Sequence, residues 1–152
     1  MTRTARRCGE CGQKAVVPTT LPIYTETMVH DGKTYEVSVE NLLVGQCENC
    51  KEILLDDAAT ERLSYALREK ANLLSPAEIR SRRESLQLTQ GELARLLRIS
   101  ESTLCRWETG SQIQKPSSDL ALRLFFELEE VRAFCEFQFL PRPEIQVAAR
   151  SG

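Results

Sequence analysis

The first third of the chain has β character in its pattern of residues. The stretches TLPIYTETMVH and KTYEVSVE are rich in Thr, Val, Ile and Tyr, and Asp31-Gly32 lies between them. An Asp-Gly pair flanked by such stretches is a strong signal for a hairpin turn. We therefore predict an antiparallel β-hairpin, from which residues 42–46 lead to a Cys-x-x-Cys pair.

A helical pattern follows this hairpin. Asp56 or Asp57 can cap the first helix, which extends to about residue 72. One face of this helix is predicted to comprise Ala59, Leu63, Ala66, Leu67 and Lys70. The sequence Leu73-Leu74-Ser75-Pro76 ends this helix and marks the predicted boundary between two domains.

The second half of the chain contains helices with clear start signals. Ser75-Pro76-Ala77-Glu78 and Thr89-Gln90-Gly91-Glu92 are both capping boxes. Ser100 caps a short third helix that ends at Gly110. Pro116 starts a longer helix, whose apolar face is predicted to comprise Leu120, Leu124, Leu128, Val131 and Cys135.

Two of these helices, over residues 89–97 and 101–108, are separated by about three residues, which is the spacing of a helix-turn-helix. In the second helix, Leu104 and Trp107 are predicted to face the core. The outward positions are then Glu101, Ser102, Cys105 and Arg106. A recognition helix presents such positions to base edges in the major groove. The alternative is an ordinary helical hairpin whose polar face is only hydrated.

Both helices supply candidate DNA contacts. Arg106 can make a bidentate contact to guanine and is the main candidate for reading a base. Thr89 and Gln90, with the backbone amides at the start of their helix, are suited to a phosphate. The candidate DNA-binding residues are Thr89, Gln90, Glu101, Ser102, Thr103 and Arg106.

The distribution of charge supports DNA binding only locally, because the whole chain has a formal net charge of −2. Residues 79–115 carry seven basic and four acidic side chains, whereas residues 116–152 carry four basic and six acidic ones. A basic segment of this kind is a modest footprint for nucleic acid. No apolar run approaches the ~18 residues of a membrane helix, and no secretory signal is evident, so we expect a cytoplasmic protein without a membrane partner.

Two Cys-x-x-Cys pairs, Cys8/Cys11 and Cys47/Cys50, flank the predicted hairpin. In a reducing compartment such pairs indicate a metal site, because two turns of this kind supply four thiolates at the corners of a tetrahedron. We predict one structural Zn²⁺ per chain, although iron accepts the same ligands. Four thiolates leave no open position for water, and His30 lies beside the predicted turn, so we expect no enzymatic activity.

The helix pair resembles the Xre/Cro-type helix-turn-helix family. The resemblance rests on the patterns Leu88-Thr89-Gln90-x-Glu92-Leu93-Ala94 and Ile99-Ser100-x-Ser102-Thr103-Leu104-x-Arg106-Trp107-Glu108-x-Gly110. It implies a structural ion pair between Arg83 and Glu108. Two positions depart from the family pattern: Arg98 stands where the turn usually has glycine, and Gly91 lies inside a helix, and each costs roughly 1 kcal/mol.

The order of the two halves resembles the MqsA (YgiT-type zinc finger) antitoxin family over about residues 8–135. The resemblance rests on Cys8-Gly9-Glu10-Cys11, Leu21-Pro22, Gly45-Gln46-Cys47-Glu48-Asn49-Cys50 and the helix pair. It implies an α+β protein with a small four-cysteine zinc-binding β-hairpin module and an all-α helix-turn-helix domain. The expected division is a zinc module with its linking helix at 1–74, the DNA-binding domain at 75–140 and a flexible tail at 141–152.

The same resemblance implies a type II antitoxin. Its zinc module would bind a toxin of a kind such as an mRNA interferase. Its helix-turn-helix would bind a palindromic operator in double-stranded DNA as a homodimer and repress the operon. Two alternatives stay open: a stand-alone zinc-containing regulator without a toxin, and an electron-transfer protein with an iron site. Five phenylalanines at positions 125, 126, 134, 137 and 139 exceed the needs of one helix core, and we predict that some of them form the dimer interface.

Overall fold

A long β-hairpin forms the N-terminal part of the computed structural model, which describes residues 5–138. Strand β1 (Val16–His30) pairs antiparallel with β2 (Lys33–Cys47), from Val16 opposite Cys47 to His30 opposite Lys33. The short strand β3 (Ile53–Leu54) adds to the other edge of β2 at residues 45–46. The predicted hairpin is thus confirmed, and it is one continuous ladder that includes residues 42–46.

The buried face of β2 changes sides once. Val39 and Leu42 are both buried although they are three residues apart, whereas a regular strand repeats the same face every second residue. Asn41, between them, has a φ of 50°, in the left-handed region. Asparagine tolerates this conformation better than most residues, and it lets both halves of the hairpin pack inward.

Six helices follow within the described residues: α1 (Asp57–Lys70), α2 (Pro76–Ser85), α3 (Gln90–Leu96), α4 (Glu101–Thr109), α5 (Pro116–Glu127) and α6 (Glu129–Phe137). Asp56 caps α1, and both predicted capping boxes form, at Ser75 and at Thr89. Helix α1 ends two residues earlier than predicted, and Lys70 is the exposed member of the predicted face. The α+β fold class is confirmed.

The prediction of one long helix after Pro116 is wrong, because the chain is extended at Leu128 (φ −110°, ψ 117°) and divides it into α5 and α6. The predicted apolar face is also wrong in part. Leu122 and Phe125 enter the core, whereas three leucines of the predicted face are exposed: Leu120, Leu124 and Leu128. Val131 and Cys135 pack against the core as predicted.

Separate hydrophobic cores hold the two halves. The helical core contains Leu74, Ile79, Leu93, Leu104 and Leu122, and the hairpin packs on α1 through Val37, Val39, Leu63 and Leu67. None of the helices between residues 5 and 138 is long and apolar enough to cross a membrane. The predicted tail at 141–152 and Phe139 lie outside the described residues, and the division into domains stays a prediction.

Candidate metal centre and nucleic-acid interface

Each Cys-x-x-Cys pair forms a tight turn at one end of the hairpin. The amide of Gly12 donates to the carbonyl oxygen of Cys8 at 3.1 Å, and the amide of Lys51 donates to that of Cys47 at 2.9 Å. Gly12 and Lys51 have φ values of 71° and 65°, so the two turns have the same left-handed closing residue. Glycine adopts this conformation freely, whereas lysine at the same place costs roughly 1 kcal/mol.

The two turns bring all four thiols together. The Sγ atoms of Cys8, Cys11, Cys47 and Cys50 lie within 4.8 Å of one another. The Cys8–Cys50 and Cys11–Cys47 sulfur pairs are both 3.6 Å apart. A tetrahedron with metal–sulfur bonds of ~2.3 Å has sulfur atoms about 3.8 Å apart, so the cluster fits one ion. The hairpin closes the gap between the pairs because residues 16 and 47 are opposite each other in its ladder.

The surroundings of the thiols favour thiolate at one position and oppose it at another. A hydrogen bond from the backbone of Gln13, followed by one from the Asn49 side chain, lowers the pKa of Cys11 to about 6. At Cys50 a hydrogen bond from the Glu52 backbone acts the same way, but burial and the neighbouring thiols raise its pKa to about 12. Four thiols this close cannot all ionise without a cation, which is the electrostatic setting of a four-thiolate metal site.

Gln13, Asn49 and Glu52 support the cluster but were absent from the sequence prediction. Gln13 and Glu52 each stand two residues after the second cysteine of a pair, where a knuckle turn directs an amide toward sulfur. That spacing could have identified them. The side chain of Asn49 could not have been assigned, because its direction depends on how the two turns meet.

The second candidate site is the outer face of α4. Ser100 caps this helix by accepting from the Thr103 amide at 3.2 Å, and Gly110 ends it in the left-handed conformation. Leu104 is 0% exposed and Trp107 is 5% exposed, so the inner face is fixed in the helical core. Glu101, Ser102 and Arg106 are exposed, and Thr103 and Cys105 are half-buried.

A buried ion pair fixes the distance between α2 and α4. Arg83 donates to both carboxylate oxygens of Glu108, at 2.6 and 3.0 Å, and the Glu108 side chain is 0% exposed. Burial raises the pKa of Glu108, but hydrogen bonds from Arg83 and Gln90 outweigh burial, so its pKa lies below the ordinary value. The same bond raises the pKa of Arg83.

The start of α3 is already occupied by side chains of the chain itself. The Thr89 hydroxyl accepts from the Glu92 amide and donates to the Glu92 carboxylate, and Gln90 Nε2 donates to Glu108 at 2.8 Å. The Glu101 carboxylate lies 3.3 Å from the place where a Cβ on Gly91 would stand. The phosphate contact predicted for Thr89 and Gln90 thus has competitors, and it stays a prediction.

The turn between α3 and α4 has the left-handed residue that the motif requires. Arg98 occupies it with a φ of 58°, and the Ile99 amide donates to the Ala94 carbonyl oxygen at 3.0 Å. Ala94 is 2% exposed at the close crossing of the two helices. The geometry of α3, turn and α4 is therefore that of a helix-turn-helix with arginine in the position where glycine is usual.

Comparison with known proteins identifies the same helices. No curated protein matches the chain. The family model of a helix-turn-helix domain matches residues 77–145, which include α2 except for its first residue and all of α3 to α6. This part of the chain is therefore similar to helix-turn-helix domains, and the similarity supports DNA binding by the chain.

Proposed function

We propose that the chain is a DNA-binding regulator that represses its own operon, and that it is the antitoxin of a type II toxin–antitoxin system. The observation that carries DNA binding is the outer face of α4. Arg106 is exposed there, one residue from the buried Trp107, and within residues 5–138 its guanidinium has no hydrogen-bond or ion-pair partner. An unpaired guanidinium on a helix that the core holds in place is suited to guanine in the major groove.

The metal centre has a structural role in this proposal. Four thiolates fit Zn²⁺ and would give a closed site with no position for a substrate. The ion would join residues 8–11 to residues 47–50 at the base of the hairpin and hold that end of the sheet together. When bound, this ion would supply four metal–thiolate bonds and offset part of the negative charge of the thiolates.

Binding of a toxin by the N-terminal module is the finer part of the proposal. Its support is the order of the two modules, a four-cysteine hairpin followed by a helix-turn-helix. The test is co-purification of the chain with the product of the adjacent gene from the native host. A stable complex that protects host mRNA from cleavage supports the antitoxin. A neighbour that neither binds nor arrests growth identifies a stand-alone regulator.

Replacement of Arg106 by alanine is expected to weaken binding to the operator by about 1–3 kcal/mol per half-site, because a bidentate contact to guanine is lost. The measurement is a fluorescence-anisotropy titration at one fixed salt concentration. The duplexes are the promoter region of the chain's own gene and a scrambled sequence of the same composition. We expect the preference between them to fall, with the circular dichroism unchanged.

Lys70→Ala is the matched control, because Lys70 is exposed on α1 and its loss changes the net charge by the same amount. If charge alone governed binding, both variants would weaken both duplexes equally. An unchanged preference of Arg106→Ala for the promoter duplex would refute base reading by α4. Binding of neither duplex by the unaltered chain would refute the proposed function itself.

The exposed apolar surface of α5 and α6 is the proposed dimer interface. Nine large hydrophobic side chains are exposed among residues 5–138, and five of them lie here: Leu120, Leu124, Leu128, Phe134 and Phe137. A concentration of this kind marks an interaction surface. A recognition helix covers few base pairs, and a two-fold dimer on a palindromic operator supplies two half-sites.

Phe134→Glu is expected to convert the dimer into a monomer, because a carboxylate would be buried without a partner in the interface. Multi-angle light scattering measures the mass, and the promoter duplex measures the accompanying loss of affinity. Ile23→Glu is the control, since Ile23 is 66% exposed and Phe134 is 63% exposed. A dimer that survives Phe134→Glu but not Ile23→Glu would place the interface on the hairpin.

A further inference from the structure

The segment that leaves the recognition helix is held by the N-terminal module. Arg68 of α1 donates through Nη2 to the carbonyl oxygens of Gly110 and Gln112, at 3.4 Å each. His30, the last residue of β1, has its Nε2 3.0 Å from the carbonyl oxygen of Gln114. Because a carbonyl oxygen only accepts, His30 Nε2 is the donor. Two elements on the N-terminal side of the predicted boundary thus bind three carbonyl groups of residues 110–114.

Apolar packing accompanies these hydrogen bonds. Ile113 belongs by sequence to the helical half, but its side chain packs against the core formed by the hairpin and α1. Leu74 does the opposite. It lies at the end of the N-terminal half of the sequence, but its side chain is 1% exposed and packs in the helical core. Gln114, which is fully buried, donates to the Leu74 carbonyl oxygen at 2.7 Å. The segment is therefore fixed on several sides.

Arg68 occupies an unusual position for a cation. The residue is 2% exposed, and no carboxylate within residues 5–138 pairs with it. Its acceptors are the carbonyl oxygens of Ser64, Gly110 and Gln112, and the Tyr65 ring centroid lies 6.0 Å from its guanidinium carbon. A buried charge is costly unless it is compensated. The compensation here comes from backbone carbonyl oxygens, one in α1 and two in the residues that follow α4.

Residues 110–114 also form hydrogen bonds to the backbone of Arg106, the proposed base-reading residue. The Gln112 amide donates to the Arg106 carbonyl oxygen at 3.2 Å, and the Ser111 hydroxyl donates to the same oxygen at 3.4 Å. Arg68 is therefore one residue, Gln112, away from the backbone of Arg106. A shift of this segment would move the last turn of α4, on which Arg106 stands.

We propose that Arg68 and His30 are positioning residues for base recognition. They hold residues 110–114 and thereby set the orientation in which α4 presents Arg106 to the major groove. The N-terminal module is then part of the DNA-reading unit, in addition to any partner that it binds. This inference rests on the proposed DNA-binding function and adds residues that touch no DNA.

The test compares Arg68→Met with Arg68→Lys in the full-length, metal-loaded chain. Methionine keeps the volume without the charge, and lysine keeps the charge without the fork of donors. We expect Arg68→Met to lower affinity for the promoter duplex by about tenfold per half-site, the size of one weakened base contact. Binding to the scrambled duplex is expected to change little, because phosphate contacts tolerate small rotations of α4. Lysine should restore part of the preference.

Combining the variants separates positioning from a general loss of stability. If Arg68 acts through Arg106, Arg68→Met has little further effect on promoter preference once Arg106 is alanine. A purely structural role predicts equal losses in both backgrounds and on both duplexes. Loss of preference in Arg106→Ala together with full preference in Arg68→Met would overturn the positioning role and leave the DNA-binding function standing.

His30→Phe provides a second variant if Arg68→Met does not fold. It removes the donor to the Gln114 carbonyl oxygen at the tip of the hairpin and leaves the side-chain hydrogen bonds of Gln114 in place. We expect a smaller loss of promoter preference and faster amide exchange at Gln112, whose hydrogen bond reaches Arg106. Unchanged exchange and unchanged preference in a folded His30→Phe protein would exclude His30 from the positioning role.

Discussion

Removal of the metal is expected to unfold the N-terminal module while the helical domain keeps its structure. Binding of a structural Zn²⁺ contributes ~10–16 kcal/mol in small four-ligand modules, and that energy is folding energy. The turns at Cys8 and Cys47 have only a small core of their own, which contains Cys8, Val16 and Cys47. Without the ion this core would contain a cluster of thiols in place of a bonded centre.

Two measurements check this expectation. Elemental analysis should find one zinc per chain, and chelation should raise amide exchange across residues 6–55 while the helical signal of circular dichroism largely persists. Cys8→Ser should reproduce the effect, because Cys8 is 2% exposed and is one of the four ligands. Cys135→Ser is the matched control outside the cluster.

The outcome also distinguishes the ions that four thiolates accept. Iron would give a red protein, and its reversible reduction would favour the electron-transfer alternative. An unaltered hairpin in Cys8→Ser, or a protein that contains no metal after purification under reducing conditions, would contradict a structural metal centre.

Local signals in the sequence were sufficient for much of the fold. Asp31-Gly32 defined the hairpin, and both residues have positive φ values in the structure. Capping boxes identified the starts of α2 and α3, because a cap is decided within four residues. The four cysteines could be assigned as one cluster because a hairpin of any twist brings its two ends together.

The predictions were wrong where the burial of a residue or the end of a helix depends on packing between distant segments. Leu120, Leu124 and Leu128 have helical spacing, but all three side chains are exposed. The residues that are buried in the core are Leu122 and Phe125 of α5. Amphipathic spacing identifies a face without showing what covers it, and an interface and a core have the same pattern. The break at Leu128 has no glycine or proline to announce it.

The positions of Arg68 and Gln90 were also beyond local signals. Both are polar residues in helices, and such residues are mostly exposed. Arg68 is buried because the turn at 110–112 packs on α1 and accepts its hydrogen bonds. The side chain of Gln90 donates a hydrogen bond to Glu108, which lies on α4. Each contact joins segments at least 18 residues apart, and only the tertiary arrangement specifies it.

Glu108→Gln is expected to destabilise the helical domain by about 3–5 kcal/mol, which is the usual cost of leaving one partner of a buried ion pair uncompensated. Arg83 would keep its charge at 10% side-chain exposure and would face a neutral amide. Gln90 would lose its charged acceptor as well. Thermal unfolding followed by circular dichroism should show a decrease in Tm of at least about 10 °C for a domain of this size.

Glu127→Gln is the control for this variant. Glu127 forms an ion pair with Arg82, but its side chain is 62% exposed, and exposed pairs contribute about 0–1 kcal/mol. The two substitutions have the same chemistry, but Glu108 is buried and also accepts from Gln90, whereas Glu127 is exposed. Equal effects on Tm would contradict a structural role of the Arg83–Glu108 pair.

The pH dependence of stability provides an independent check that the charge of Glu108 stabilises the folded chain. The pKa of Glu108 is lowered in the folded chain from an ordinary value of 4.5, so its contribution to stability is fully present above that value. The contribution is lost as the pH falls through the lowered folded pKa, because the carboxylate then takes up a proton. We therefore expect the stability difference between the unaltered chain and Glu108→Gln to be constant near neutral pH and to shrink below about pH 4.5. A difference that stays constant down to acid unfolding would show that the charge of Glu108 contributes nothing, and that the glutamine variant is destabilised by geometry alone.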